Sequence, residues 1–304
     1  EGVRLRKAGI RGDILVLGRT PPQQLGALVR YRLMQTAVDY AYAQQLNACK
    51  KPLCVHVKID TGMHRFGEDG GHMARIRDIY MLPKLKIKGT FTHLCVCDSL
   101  TEENQRFTQA QLDNLSHILR RLKDAGHDPG KIHIQSSYGL LNYPDLKCDY
   151  ARIGIALYGV LSDTVSPSRT AIDLYPVMSI RARISLVRDV KPGDSVSYGR
   201  CYVAEEPRRI AVVSIGYGDG LPRSIKGGHV LIHGQKAPYI GRICMDACIV
   251  DITGIKDVLP GDVVTVIGRD GEQRVAAEAL AQSAGTITNE LFTRLSPRLE
   301  RIHI

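Results

Sequence analysis

The feature that most constrains this chain is a change of rhythm near residue 173. Before it, short apolar stretches of strand length alternate with amphipathic stretches of helix length. Beyond it, short apolar runs follow one another across tight turns. The first texture calls for parallel strands with helical crossovers, the second for an antiparallel β module. At 304 residues there is room for a large domain and a second of ordinary size.

The strands expected before the change are "DILVLG" (13–18), "RLMQTAV" (32–38), "LCVHVKI" (53–59), "IKGTFTHL" (87–94), "IHIQSS" (132–137) and "YARIGIALYG" (150–159). The clearest helix covers 101–126. Phe107, Leu112, Leu115, Ile118, Leu119 and Leu122 form its apolar stripe, Thr101 with Asn104 opens it and Gly126 closes it. Such a series of strand–helix units fits an α/β chain with a (β/α)₈ TIM-like barrel, which needs eight. Two units are missing from the count, and the first two strands are expected upstream of residue 1. Beyond the change, "MSIRARISLVRDV", "RRIAVVSIGYG", "GHVLIHG", "ACIVDI" and "DVVTVIG" read as strands, followed by a helix in "VAAEALAQSAG". The expected organisation is an N-terminally incomplete barrel over 1–172 and an all-β domain over 173–304, hinged near "SDTVSPSRT" (162–170).

The chemistry starts at "CVHVKIDTGMHRFG" (54–67), which buries Lys58 within a strand and hangs Arg65 just past its tip. The carboxyl ends of barrel strands are where such folds keep their reactive groups. His93 falls near the end of the fourth expected strand, Ser136 and Ser137 end the fifth, and Arg152 and Gly154 lie in the sixth. Arginines to face oxygens or a ring nitrogen, a histidine to stack and hydroxyls to take a phosphate suit a phosphorylated aromatic ligand. Lys58 has a plainer alternative, with its ammonium snorkelling to the barrel mouth.

The formal charge of +10 comes from scattered Lys and Arg. No basic tract is interleaved with aromatics, so a basic mouth for an anionic ligand is expected before nucleic acid. No apolar run approaches the ~20 residues of a membrane span. The eight cysteines form no CxxC pair, which points to a reducing cytoplasm and no metal centre.

Seven stretches, "VKIDTGMHRFG", "FTHLCVCD", "IHIQSSYG", "YARIGIALYG", "VSYGRCY", "SIGYGDGLPR" and "GRICMD", stand in the order found in the fold-type III, pyridoxal-phosphate-dependent alanine racemases. The chain resembles that family over nearly its whole length. The resemblance implies a pyridoxal 5'-phosphate cofactor, a small amino-acid substrate and a homodimer with shared active sites. Lys58 matches a lysine that is typically carbamylated, and Arg65 an arginine facing the cofactor's phenolic oxygen and the substrate carboxylate. His93 matches the histidine packed on the ring. Ser137, Gly154 and Ile155 match the phosphate cradle, and Arg152 the arginine on the pyridine nitrogen. Tyr198 matches the catalytic tyrosine contributed to the partner's barrel. Tyr217, Met245 and Asp246 match residues lining the partner's substrate approach. Asp98, Arg223 and Arg242 match a charged gate, with ordinary surface ion pairs as the plainer alternative.

Two departures qualify the resemblance. The family's cofactor lysine lies in an "AVVKADAYGHG"-like strand with no counterpart here, so it cannot be named, and a longer protein is expected. In place of the family's "T-I-x-Y-E" stands "TITNEL", which puts Asn289 where a pocket-narrowing tyrosine is usual. This resembles the serine racemase domains of vancomycin-resistance systems, which follow a membrane domain and work at its cytoplasmic face. The resemblance implies a serine/alanine racemase supplying D-amino acids for peptidoglycan precursors. In the plainer view Asn289 is a helix N-cap before "ELFTRL" and the chain is an ordinary alanine racemase.

Overall fold

Parallel strands organise the first part of the chain. They are β1 (Leu15–Val16), β2 (Met34–Ala37), β3 (Leu53–Asp60), the two-residue β4 (Glu68–Asp69), β5 (Leu85–Phe91) and β6 (Lys131–His133). The sheet order is β1-β2-β3-β5-β6, with β4 beside the end of β3 and every pairing parallel. This is a half-barrel. The computed structural model describes residues 1–49 and 51–304.

Helices α1 (Gly2–Lys7), α2 (Leu25–Arg30), α3 (Tyr40–Asn47), α4 (Met73–Tyr80), α5 (Glu102–Asp124) and α6 (Ser137–Asn142) alternate with these strands. Val55, Val57 and Ile59 from β3, with Ile76, Ile79, Leu115, Ile118 and Leu122 from the helices, are almost fully buried. His56 and Lys58 project from the other face of β3 and are buried as well, as befits a strand covered on both sides.

The long helix follows its sequence closely. The Thr101 hydroxyl accepts from the Asn104 N–H. At the far end Gly126, at φ +79°, lets its own N–H reach Lys123 O and the His127 N–H reach Leu122 O. That pair of bonds is a Schellman closure. Phe107 departs from the expected stripe and is exposed. It lies over Gly62, where it would stand 3.1 Å from an added Cβ.

The sixth expected strand does not form. Only Tyr150 pairs, as an isolated parallel bridge to His133. The Arg152 N–H still reaches Gln135 O, but Gly154, at φ −113° and ψ −97°, turns the chain into a short 3₁₀ segment, Ile155–Tyr158. The fifth expected strand is also shorter, because Ser136 caps α6 and Ser137 is that helix's first residue.

The second part of the chain is antiparallel. Its strands are β7 (Ile180–Val190), β8 (Ser195–Val196), β9 (Tyr202–Val203), β10 (Arg208–Val213), β11 (His229–Ile232), β12 (Gln235–Pro238), β13 (Cys248–Asp251), β14 (Val263–Asp270) and β15 (Gln273–Val275). The main sheet runs β12-β11-β14-β7-β10-β13, with β15 on β14, while β8 and β9 pair apart. Val213, Val230, Ile232, Val250, Ile252, Val264 and Val266 fill its core. Two short helices follow, α7 (Ala277–Ser283) and α8 (Thr288–Thr293). The chain divides into one unit of Glu1–Ile153 with Pro167–Ala171 and another of Gly154–Ser166 with Ile172–Ile304. Among the described residues, no helix is long and apolar enough to cross a membrane.

Candidate active site

The end of β3 sets the first elements of the site. The Asp60 carboxylate accepts from the N–H groups of Gly62, Met63 and His64 at 2.9, 2.9 and 3.1 Å, winding the chain back on itself. Burial alone would raise this carboxyl, but the three donors hold it below its ordinary range. The loop thereby places Arg65 just past the strand. It also brings the Phe66 carbonyl to the Lys58 ammonium, which donates to it. Lys58 is 5% exposed. Burial, with Arg65 and Arg152 nearby, lowers its pKa to about 8, although Asp60 opposes the shift.

Arg152 is the centre of the unit's polar network. Its Nη1 donates to His133 Nδ1 at 2.6 Å and His133 O at 2.9 Å. Its Nη2 donates to Thr92 O at 2.8 Å, Ile134 O at 3.0 Å and His93 Nδ1 at 3.1 Å. Burial lowers it to about 10, so it stays charged at neutral pH. Behind it, His133 Nε2 lies 2.8 Å from His56 Nδ1, and the His133 ring stacks on Phe91 at 4.5 Å between centroids. Gly89 makes this possible, since a Cβ there would stand 2.5 Å from His56 Nδ1. Burial foremost, then Arg152, holds His93 at about 4 and His133 at about 3. Both are neutral bases.

Leu17, Gly18, Lys58, Arg65, Phe66, Phe91, His93 and Arg152 line one cavity of about 270 Å³. Three of the eight are cationic and none is a carboxylate, so the hollow is lined by positive charge above an aromatic wall. That chemistry fits an anionic aromatic ligand such as pyridoxal phosphate. The five acceptors of Arg152 all face Nη1 and Nη2, and none of them takes the Nε–H. The sequence singled out Lys58, Arg65, His93 and Arg152, and the fold brings all four together. It gave no notice of Phe91, His133 and His56, although the inward-facing histidines in "CVHVKI" and "IHIQSS" were a usable signal. Ser137 is buried in the same unit, whereas Gly154 and Ile155 begin the other.

The second unit presents its residues outward. Tyr198 is 65% exposed in a short 3₁₀ turn, Tyr198–Arg200. Ser197 before it has φ +66° and ψ −178°, a region that side chains other than glycine's rarely enter, and Gly199 and Arg200 after it have φ +72° and +50°. The Ser197 hydroxyl, donating to Arg242 O at 2.7 Å, helps hold this conformation. Tyr217, Met245 and Asp246 are exposed too. Arg298, which the sequence reading missed, donates through Nε to Asp219 and through Nη2 to Asp246, each at 2.7 Å. It ties "GYGDG" to "CMDA". Asp98, Arg223 and Arg242 are all exposed and form no ion pair among the described residues.

Asn289 is not a helix cap. Ile287 precedes α8 as its N-cap, Asn289 is the second helical residue, and its Oδ1 accepts from the Ser162 hydroxyl at 2.8 Å.

The parallel half-barrel and the antiparallel module together have the architecture of the alanine racemases. The model "Alanine racemase, N-terminal domain" matches residues 1–162 and "Alanine racemase, C-terminal domain" matches 177–303, so the chain belongs to the alanine racemase family. That family depends on pyridoxal phosphate, acts on small amino acids and is typically dimeric. Among its relatives is an amino-acid racemase of Enterococcus faecalis, 41% identical over 99% of this chain and 43% of its own. A serine/alanine racemase of Enterococcus gallinarum is 38% identical over 98% of this chain and 42% of its own. The chain thus spans less than half the length of these two relatives. A solved alanine racemase of Clostridium difficile 630 superposes with a TM-score of 0.85 at 34% identity, covering 98% of this chain and 77% of that one.

Proposed function

We propose that the protein interconverts the L and D forms of serine, and of alanine as a second substrate, by proton transfer at Cα with two acid/base groups. The observation that carries the serine assignment is Asn289, a small amide held by Ser162 where the family usually has a tyrosine. The name of the E. gallinarum relative agrees with it.

When bound, pyridoxal phosphate supplies an electron-withdrawing ring that acidifies Cα–H of an amino acid joined to it. Arg152 would donate a hydrogen bond to the ring nitrogen but, as a guanidinium, would give up no proton to it. His93 would pack against the ring, and Ser137 with the backbone of Gly154 and Ile155 would take the phosphate. Arg65 would hold the phenolic oxygen and the substrate carboxylate. Lys58 supports Arg65. Its lowered pKa leaves roughly a tenth of it as free amine at pH 7, able to add CO₂ and release a proton, giving an anion beside Arg65. Tyr198 exchanges the Cα proton on one face. A lysine bearing the cofactor would serve the other, because a single base would return the proton to the side it came from.

Tyr198, Tyr217, Met245 and Asp246 act in the site of a second copy, giving a homodimer with reciprocal sites. Asp98, Arg223 and Arg242 form a gate over the approach to that site. In the cell the whole protein is tethered to the membrane with this region on the cytoplasmic face, supplying D-amino acids for peptidoglycan precursors and vancomycin resistance. The test is enantiomer analysis of L-serine and L-alanine incubated with the intact, cofactor-loaded protein. D-serine formation supports the reading. D-alanine without D-serine hands the assignment to an alanine racemase, the activity named for the C. difficile structure.

A further inference from the structure

Asn289 does not stand by itself. Ser162 donates from Oγ to Asn289 Oδ1 at 2.8 Å, and the Ser162 carbonyl accepts from both Thr288 N, at 2.8 Å, and Thr288 Oγ1, at 3.0 Å. Thr288 is fully buried at the start of α8. Three hydrogen bonds therefore lock the 162 segment to the first turn of that helix, across 126 positions of sequence.

A primary amide has one accepting end and one donating end. With Oδ1 turned to the Ser162 hydroxyl, the end directed away from that residue is the NH₂ group, which only donates. A hydroxymethyl side chain offers an oxygen to such a donor, and a methyl or ethyl group offers nothing. We infer that Ser162 is a specificity-determining positioning residue: it fixes Asn289 as a donor, so that the site selects amino acids bearing a hydrogen-bond acceptor on the β-carbon. Selection then works by chemistry as well as by room. L-2-aminobutyrate fills nearly the same space as L-serine and lacks the acceptor, so it separates the two. Ser162 touches no substrate and acts only by orienting the amide. The inference rests on the reading that Asn289 faces the substrate side chain, and its test keeps the two claims apart.

The measurement is kcat/KM for L-serine, L-2-aminobutyrate and L-alanine in the intact, cofactor-loaded protein. The original protein is expected to prefer L-serine to L-2-aminobutyrate by about tenfold or more. Ser162→Ala should lower that preference at least threefold, because an amide no longer tied to residue 162 is free to turn away from the substrate. Ser162→Thr and Ser162→Val have the same shape and differ by one hydroxyl, which controls for any loss of folding. Thr should keep the preference and Val should lose it. If Asn289→Ala collapses the preference while Thr and Val at 162 stay within twofold of each other, the role of Ser162 is overturned and the reading of Asn289 stands. If Asn289→Ala leaves the preference intact, that reading fails and the inference fails with it.

Discussion

The half-barrel and the β unit carry candidate residues of opposite kinds. Around the barrel cavity three of the polar side chains are held by their own unit: Arg152 by five acceptors, Lys58 by the Phe66 carbonyl, His93 by Arg152. In the β unit Tyr198, Tyr217 and Met245 stand in solvent, at 65%, 45% and 54% exposure. What is fixed on that side is the backbone beneath them, through the Ser197 turn and the Arg298 clamp. One region is a hollow whose buried cations are fixed by internal bonds, and the other is a set of presented groups. A substitution in the first should disturb folding and ligand binding together, while one in the second should cost activity alone.

Tyr198→Phe tests that division most sharply. Racemisation by the intact protein should fall by at least ~100-fold, the scale of a lost acid/base group. Thermal unfolding and cofactor uptake should not change. A large drop in stability would mean that Tyr198 is structural and would erase the contrast.

Arg152→Met should do the reverse. Removing a donor that serves five buried acceptors is expected to cost roughly 3 kcal/mol of stability by urea unfolding, well below the sum of separate losses. Cofactor affinity should fall with it. Unfolding within about 0.5 kcal/mol of the original, the size of an ordinary surface change, would show that the network is not what holds the unit.

Asn289→Tyr should lower kcat/KM for L-serine relative to L-alanine by about tenfold, by narrowing the pocket and removing a hydrogen-bond partner. A ratio within about twofold of the original would leave the serine assignment without its main support.

The smallest effect is one of acidity. His93 and His133 are held at about 4 and about 3 in the folded chain, against about 6.5 in an unfolded one. The folded state therefore gives up protons that the unfolded state keeps. Stability from this source is full above about pH 6.5 and declines as pH falls toward 4 and 3. Urea midpoints should drop between pH 7 and 5, and His133→Asn should flatten that slope. An equal slope in the variant would show that His133 is not a source of it.

Much of this was legible in the residues. Short runs rich in Val, Ile and Leu, bounded by turn residues, located β3, β7 and β14, because such runs suit a strand buried in a sheet. Lys58, Arg65, His93 and Arg152 could be grouped because strand ends converge in such a fold. The sixth strand could not be judged, since "YARIGIALYG" has strand composition and only the backbone at Gly154 shows the turn. Phe107 was misplaced because helical spacing does not reveal a ring lying over Gly62. The contacts of Arg298 with Asp219 and Asp246, and of Ser162 with Asn289, join segments 52 to 127 positions apart. No local pattern encodes such pairs.

The chain of bonds behind Arg152 has a direction. A guanidinium has only donors, so His133 must receive at Nδ1 and carry its hydrogen on Nε2. That hydrogen points to His56 Nδ1, which obliges His56 to keep its own on Nε2. By the same rule His93 receives at Nδ1. Three imidazoles are thus set in a single tautomeric state by one cation, and their nitrogen resonances should report it together. An extra proton on Nδ1 of His133 has no place unless Arg152 lets go, so the cation that orders these rings also keeps that one from gaining charge.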